Sequence, residues 1–314
     1  MRRVRDEGGA AAIIVGVCAT VLFGASAIVI DAGDIWQERR QLVSATDAAA
    51  LAAAQDEAFG VDGCATRAGA YLEDNSPGSS MTDCTTTGTS SAGSITIDAE
   101  IVVTHSIAQI LGRSDTTVTG ASTAKWGMPT GLSGLRPFAL CAESPGMQAW
   151  QASGHSTTQV FRIMYTKDQP DNCGGPAPGN WGLIDFDGGS NSNNDTKEWV
   201  EFGYPGVVTA PGWYYGDPGA FSNSLPMSTI VGEIIQLPVF DSFNGQGGAN
   251  AQFYIVGFVS VYVAGYKSNG SQSSRYIDLQ FQTSIVHGSC CTGGGIDTGL
   301  RVISLCAVEA SSSC

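Results

Sequence analysis

The sequence predicts an α+β protein: a transmembrane helix that continues into an extracellular helix with a small sheet, followed by a β-rich, disulfide-bonded domain. Three observations lead to this fold class. One early stretch lacks charge, the next is rich in strong helix formers, and later segments alternate apolar and polar residues with a period of two. The predicted parts are 1–30 (basic start and transmembrane helix), 31–127 (helix plus small β-sheet), 128–135 (linker) and 136–314 (β-rich extracellular domain).

The composition argues against disorder and against nucleic-acid binding. Hydrophobic residues make up 43% of the 314 residues, which is enough to build a core. Lys and Arg number 15 against 29 Asp and Glu, and the resulting net charge of -14 repels a phosphate backbone. Only three histidines are present, which leaves little material for acid–base or metal chemistry. We therefore expect no nucleic-acid partner and no cofactor.

Residues 10–30 have the length of a membrane span. These uncharged residues form a helix of about 31 Å, close to the ~30 Å hydrocarbon core of a bilayer. Arg2, Arg3 and Arg5 precede the span, which favours a cytoplasmic N-terminus and export of the rest. The alternative is a signal peptide cleaved after the Ala-Ser-Ala at 25–27, but the apolar stretch continues to Ile30 and favours a retained anchor. The expected location is the cell membrane, with the lipid bilayer as a partner.

Small residues recur at every fourth position of this region. Such a ladder lies on one face of a helix and lets two backbones approach closely in lipid. Membrane helices are rich in small residues in any case, so composition alone explains the pattern equally well. The ladder consists of Gly8, Ala12, Gly16, Thr20 and Gly24.

Cysteine usage agrees with export. Eight cysteines follow the span, and an even number suits a disulfide framework in an oxidising compartment. Cys64 and Cys84 are expected to pair, which closes a loop of about 20 residues. The other six allow about 15 pairings, and the neighbours Cys290 and Cys291 are expected to take different partners. The candidates are Cys64, Cys84, Cys141, Cys173, Cys290, Cys291, Cys306 and Cys314.

Local patterns predict the elements of the first exported part. Residues 31–59 form a helix, residues 64–93 a loop, and residues 95–103 and 116–124 two strands. The apolar positions of the helix recur at seven-residue spacing with alanines between them. They are Ile35, Leu42 and Ala49, with Ala45 and Ala52.

Patterns in the last part predict sheet structure. Residues 253–266 are apolar on both faces, as expected for a central, covered strand, and residues 276–286 form its hairpin partner. A short helix is expected from Asn194 or Asp195 to Gly203.

The sequence lacks the familiar signatures of catalysis. It contains no G-x-S-x-G elbow, no H-E-x-x-H and no phosphate-binding loop. His105, His155 and His287 are each expected to be ordinary polar surface residues. We therefore expect no catalytic residues and a protein that is not an enzyme.

One group of oxygen-bearing side chains is a weak calcium candidate. Alternating oxygen ligands in a loop suit Ca²⁺, but the EF-hand template fails because Ser190 and Thr196 occupy its positions for Gly and Glu. A turn before a helix is the favoured interpretation, with no metal bound. The candidates are Asp185, Asp187, Asn191, Asn193 and Asp195.

Several aromatic residues are candidates for an exposed patch that binds glycan or protein. Packing in the core and in turns is the favoured interpretation for them. They are Trp181, Trp199, Trp213, Tyr214 and Tyr215.

The N-terminal region resembles a known family. Residues 5–15 read RDEGGAAAIIV, and residues 27–55 read AIVIDAGDIWQERRQLVSATDAAALAAAQ. The Gly-led apolar helix, Asp31 just beyond it and the alanine-rich run after Asp47 are similar to the TadE/TadG-like Flp (tight adherence) pilus-assembly family. The resemblance implies a membrane-anchored, pilin-like accessory component that contacts pilins or other pilus-assembly membrane proteins through its N-terminal helix.

The resemblance also has a departure. Prepilin peptidases cut after Gly and generally expect Glu at the fifth mature position, where this chain has Ile13 or Ile14. A static anchor is therefore expected, rather than a filament subunit. The alternative function is a membrane-anchored surface adhesin whose β-rich domain binds glycan or protein.

Overall fold

The computed structural model describes residues 8–164, 182–188, 193–217, 224–244, 250–271, 274–291 and 295–306. The helices are α1 (Gly8–Glu57), α2 (Gly69–Asn75), α3 (Pro145–Ala152) and α4 (Asn193–Phe202), with a π-helical turn at Cys64–Ala68 and 3₁₀ turns at Ala108–Leu111 and Met227–Thr229. The strands are β1 (Ser80–Thr89), β2 (Ala92–Thr104), β3 (Asp115–Gly127), β4 (Gly131–Leu132), β5 (Leu140–Cys141), β6 (Val160–Met164), β7 (Ile184–Asp185), β8 (Val208–Thr209), β9 (Gly212–Gly216), β10 (Ile234–Asn244), β11 (Gln252–Lys267), β12 (Tyr276–Gln282), β13 (Ser284–Ile285) and β14 (Leu300–Leu305).

Helix α1 is continuous from the apolar span into the folded part of the protein. Its 50 residues extend over about 75 Å. Among the described residues, it is the one helix long and apolar enough to cross a membrane. The prediction that the transmembrane helix continues without a break into the helix that follows residue 31 is confirmed.

The second half of α1 packs on a five-stranded sheet with the order β1-β2-β3-β14-β13. The pairs from β1 to β14 are antiparallel, and β13 lies parallel to β14. Strand β2 shows the predicted alternation, since every second side chain is buried under the helix. These side chains are Ile95, Ile97, Ala99, Ile101 and Val103.

Small side chains let α1 lie close to the sheet. Leu42 and Ala49, two of the three predicted heptad positions, are fully buried, and Ile35 is half-buried. Gly120 on β3 faces Leu42, and a Cβ there would meet the Leu42 Cγ at 3.2 Å. Ser122 Oγ donates a hydrogen bond of 2.6 Å to Asp47 Oδ1 beside this contact. The spacing read from the sequence therefore identified the packing face of the helix.

Residues 64–93 differ from the predicted loop. They form the π-helical turn, α2 and the edge strand β1 before the turn into β2. Nearly every side chain of β1 is exposed, and α2 buries only Leu72, so neither element has the apolar periodicity that sequence reasoning uses. The predicted Cys64–Cys84 disulfide is present and ties the π-helical turn to β1.

The second sheet contains seven strands. Its main path has the order β5-β10-β11-β12-β6, and β9 pairs with both β11 and β7. Strand β11 lies between β10 and β12 and is covered on both faces, as predicted, and the β11–β12 hairpin is antiparallel. Helix α3 supplies Met147 and Trp150 to the cluster on one face, and α4 supplies Trp199 to the cluster on the other. Helix α4 ends before Gly203, which has a φ of 83°.

The predicted linker, residues 128–135, is part of the folded structure. Leu132 and Leu135 of this predicted linker are buried, and β4 within it pairs with β8. Strand β14 leaves the β-rich part and pairs with β3, so that Ile303 lies opposite Trp126. Because β3 and β14 are more than 170 residues apart in the chain, no local pattern reveals this pairing.

Arg301 on β14 links the first sheet to the segment between β13 and β14. Its guanidinium donates a 2.9 Å hydrogen bond to the carbonyl of Ser90, in the turn between β1 and β2. It also donates to both carboxylate oxygens of Asp297, at 2.7 and 3.0 Å. Asp297 in turn lies beside α3, because its carbonyl is 3.0 Å from His155 Nε2. One buried cation therefore links the hairpin of the first sheet to the segment that follows the second.

Candidate functional site

The best-defined polar site of the N-terminal region is built around Asp31. Its Oδ1 accepts hydrogen bonds from the backbone N–H groups of Ser106 (2.9 Å) and Ile107 (3.2 Å), and its Oδ2 accepts one from Ala108 (2.7 Å). These donors open the 3₁₀ turn in the loop between β2 and β3. A single carboxylate at the end of the apolar stretch therefore holds the tip of the sheet against α1.

The electrostatics of this site favour the charged carboxylate. Burial alone would raise the pKa of Asp31, but the three backbone hydrogen bonds and the nearby His105 outweigh it and hold the pKa below its ordinary value. His105 is itself buried rather than on the surface as expected, and its Nε2 lies 2.8 Å from Thr116 Oγ1. The sequence marked Asp31 by its position after the span, but its partners, 75 residues further on, had no local signal.

The apolar half of α1 has no packing partner among the described residues. Its large side chains are exposed, for example 76% of Phe23 and 72% of Val29. Ala12, Gly16, Thr20 and Gly24 of the small-residue ladder are exposed as well, and Gly8 begins the helix. Thr20 Oγ1 donates to the carbonyl of Gly16 at 2.9 Å, which satisfies the one hydroxyl in the ladder without a second helix. This surface suits lipid tails or other membrane helices.

The structure gives a further account of the cysteines. Cys18 is free and exposed on the apolar span, and Cys141 and Cys306 are disulfide-bonded. Cys290 and Cys291 are joined to each other, not to the separate partners that were expected. The peptide bond between them is cis, and their Cα atoms are 3.1 Å apart, closer than the 3.8 Å of a trans peptide. Cys173 and Cys314 lie outside the described residues.

The calcium candidates are only partly brought together. Asp185 at the end of β7 is buried and shares a hydrogen bond with the exposed Asp187, and the N–H of Gly188 donates to Asp185 Oδ1 at 3.2 Å. Asn193 and Asp195 belong to the first turn of α4, and Asn191 lies outside the described residues. Within the described ranges, no group of three or more His, Cys, Asp or Glu side chains is placed to hold a metal ion.

Burial and the neighbouring Asp187 raise the pKa of Asp185 to about 6. Between about pH 4 and pH 6, the folded protein therefore holds a proton on Asp185 that the unfolded chain, with a pKa of about 3.9, has released. This raised pKa makes the folded state lose stability as the pH rises from about 4 to about 6, after which the loss stays constant. The loss is about 1–2 kcal/mol once solvent screening near Asp187 is allowed for.

At pH values above 6, Asp185→Asn is expected to raise the midpoint temperature of unfolding. Between pH 4 and 6, the substitution should flatten the pH dependence of this temperature. Thermal unfolding of the full-length protein in detergent at a series of pH values measures both effects. Asp74→Asn, at an exposed carboxylate, is the control and should leave the profile unchanged. An Asp185→Asn protein that is less stable than wild type at pH 7.5 would contradict the prediction. Stabilisation of the wild type by millimolar Ca²⁺, lost in the variant, would instead identify a calcium site.

The aromatic residues fall into two groups. Trp199 and Tyr214 pack with Phe186 and Tyr204 in the core, which confirms the favoured interpretation for them. Trp213 and Tyr215 point the other way from β9, with 46% and 47% of their surface exposed. The Trp213 ring lies 5.0 Å from that of Tyr254 on the adjacent strand β11. Trp181 lies outside the described residues.

Comparison with known proteins places the recognisable part of the chain at its beginning. The model of the family described as "Putative Flp pilus-assembly TadE/G-like" matches residues 8–56. This range coincides with α1, so the resemblance of the N-terminal region is confirmed. No curated protein and no solved structure matches the chain.

Proposed function

We propose that this protein is a non-enzymatic, single-pass membrane component of Flp/Tad-type pilus assembly, an accessory protein related to pilins. The observation that carries the proposal is the coincidence of the family match with α1. Half of this helix is exposed and apolar, and the other half lies buried on a sheet. Such a helix packs among other membrane helices while its sheet projects from the bilayer.

The orientation follows from charge and from cysteine chemistry. Arg2, Arg3 and Arg5 precede the span, which favours a cytoplasmic N-terminus. The Cys64–Cys84 disulfide lies on the other side of the span and suits an oxidising compartment. The sheets are therefore extracellular in this proposal.

The described histidines support a role without catalysis. His105 is buried and bonded to Thr116, and His155 lies against the carbonyl of Asp297. His287 is exposed, and the described histidine–hydroxyl pair, His105 with Thr116, includes a histidine that is buried away from any substrate.

Deletion of the gene, followed by complementation, tests the proposal. The deletion strain should lose surface pili or assemble them abnormally, and the wild-type gene should restore them. A double variant Gly16→Leu/Gly24→Leu should restore them poorly, because larger side chains on the ladder keep partner helices apart. Val17→Leu/Val21→Leu on other faces of α1 is the matched control. Normal piliation in the deletion strain would refute the proposal.

An adhesin is the second candidate, and the exposed rings of Trp213 and Tyr215, with the half-buried ring of Tyr254 beside Trp213, favour it. Flat aromatic faces on a rigid sheet can hold the apolar face of a sugar or a protein side chain. Full-length protein in nanodiscs, applied to a glycan array, should then bind specific glycans, and Trp213→Ala should abolish binding. Tyr204→Phe is the control, because this half-buried ring packs against Phe186 and Trp199 instead of joining the Trp213 surface. An array without specific binding would count against this candidate and leave the pilus proposal untouched.

A further inference from the structure

The loop between β2 and β3 lies at the level where the apolar span of α1 ends. Asp31 is the first residue after the uncharged stretch 10–30, and its carboxylate holds three N–H groups of this loop at 2.7–3.2 Å. The stretch matches a hydrocarbon core of ~30 Å, and each headgroup layer beyond the core is about 5–8 Å thick. The loop is therefore held at the depth of the lipid headgroups.

The composition of the loop fits this depth. Residues 105–113 read HSIAQILGR, with three large aliphatic residues, one arginine and no acidic residue. Arg113 is exposed, and Ile107 is only half-buried although it is flanked by core strands. Segments that lie in the headgroup layer combine aliphatic residues with Lys or Arg in this way.

Trp36 and Arg40 offer a second contact on another side of α1. The Trp36 side chain is 62% exposed, and the Arg40 guanidinium lies 4.9 Å from its ring centroid. Trp36 is about 7.5 Å beyond Asp31 along the helix and about 140° around it. Helical side chains lean toward the N-terminus, so the ring lies toward the membrane, where Trp is enriched at the headgroup level.

We infer that residues 105–113 are a second membrane contact, whose partner is the phospholipid headgroup layer of the leaflet from which α1 emerges. Together with Trp36 and Arg40, the loop braces α1 from two sides and holds the first sheet against the bilayer at a fixed tilt. Asp31 is the positioning residue, since its carboxylate fixes the loop to the helix. The inference rests on the proposed membrane crossing of α1.

Depth-dependent quenching tests the inference in the full-length protein. Three variants of the Cys18→Ser protein each carry one introduced cysteine. The cysteine replaces Ser114 beside the loop, Phe23 in the apolar span, or Ser90 at the opposite end of the sheet. Ser90 is about 40 Å from the loop along β2. Each carries a nitrobenzoxadiazole label in vesicles of phosphatidylethanolamine and phosphatidylglycerol. Lipids with a spin label near the headgroup should quench the label at 114 at least threefold more than the label at 90. Asp31→Asn should at least halve the quenching at 114 and leave the label at 23 unchanged.

The outcomes separate this inference from the proposed function. If 114 is quenched as weakly as 90 while 23 is quenched, the anchor stands and the loop contact is refuted. Shielding of 114 from an aqueous quencher without quenching by lipid would assign the loop to a protein contact, and would also refute the lipid contact. Absence of lipid quenching at 23 would remove the anchor, and with it both proposals.

Discussion

Replacement of Arg301 by methionine is expected to lower the free energy of unfolding by about 3 kcal/mol. The Arg301 side chain is only 3% exposed, and it is bonded to the Ser90 carbonyl and to both oxygens of Asp297. Methionine fills the space but leaves the Ser90 carbonyl and the Asp297 carboxylate without these donors. The Asp297 side chain is 33% exposed, so water partly replaces the lost donors there, and the cost lies at the lower end of that for a fully buried ion pair.

Denaturant unfolding of the full-length protein in detergent measures this effect. Arg162→Met is the matched control, since Arg162 forms the same two-point ion pair with Asp278 but is 54% exposed. It should shift the unfolding midpoint far less. Equal shifts for the two variants would contradict the assignment of Arg301 as a buried link.

The difference in the free energy of unfolding between the wild type and Arg301→Met should also depend on pH. Burial would raise the pKa of Asp297, but the hydrogen bonds from Arg301 and from the Gly299 N–H, together with the charge of Arg301 and the nearby His155, outweigh it and lower the pKa below the ordinary value. A lowered pKa contributes stability above the unfolded-state value of about 3.9, and this contribution disappears as the pH falls through the folded-state value. The two proteins should therefore converge in stability under strongly acidic conditions.

Leu42→Ala is expected to destabilise the protein by about 3 kcal/mol, because it opens a cavity between α1 and the first sheet. Leu42 is fully buried against Gly120. Because glycine has no side chain, Gly120 cannot fill the cavity that the substitution leaves. The hydrogen bond between Ser122 and Asp47 fixes the neighbouring part of the interface, which limits its collapse.

Hydrogen exchange of β2 and β3 in the full-length protein locates the effect, and thermal unfolding gives its size. Leu305→Ala is the matched control, since Leu305 is 38% exposed and its truncation should cost about 1 kcal/mol or less. Unchanged hydrogen-exchange protection of β2 and β3 in Leu42→Ala would show that the packing of α1 on these strands does not depend on the Leu42 contact.

The elements with strong local periodicity were predictable from the sequence. The heptad positions of α1, the alternation in β2 and the two-sided apolar run in β11 each correspond to a burial pattern in the structure. In these elements, the side chains that pack are a few residues apart, so the sequence carries their geometry directly.

The parts that could not be predicted depend on contacts between distant residues. Strand β1 is exposed on both faces, and thus its residues show no alternation. Arg301 has no neighbour in the sequence that announces Ser90 as a partner, and β14 joins β3 across most of the chain. Asp31 stood out by its position after the span, but nothing local linked it to residues 106–108.

The place of β14 in the first sheet affects how the protein is made. Ribosomes add about 5–20 residues per second, so β14 becomes available roughly 10–35 s after β3. Until then, β3 has an unpaired edge, and such edges invite pairing with other chains. The newly made protein thus passes through a period in which a chaperone, or a neighbouring copy, can bind the edge that β14 later covers.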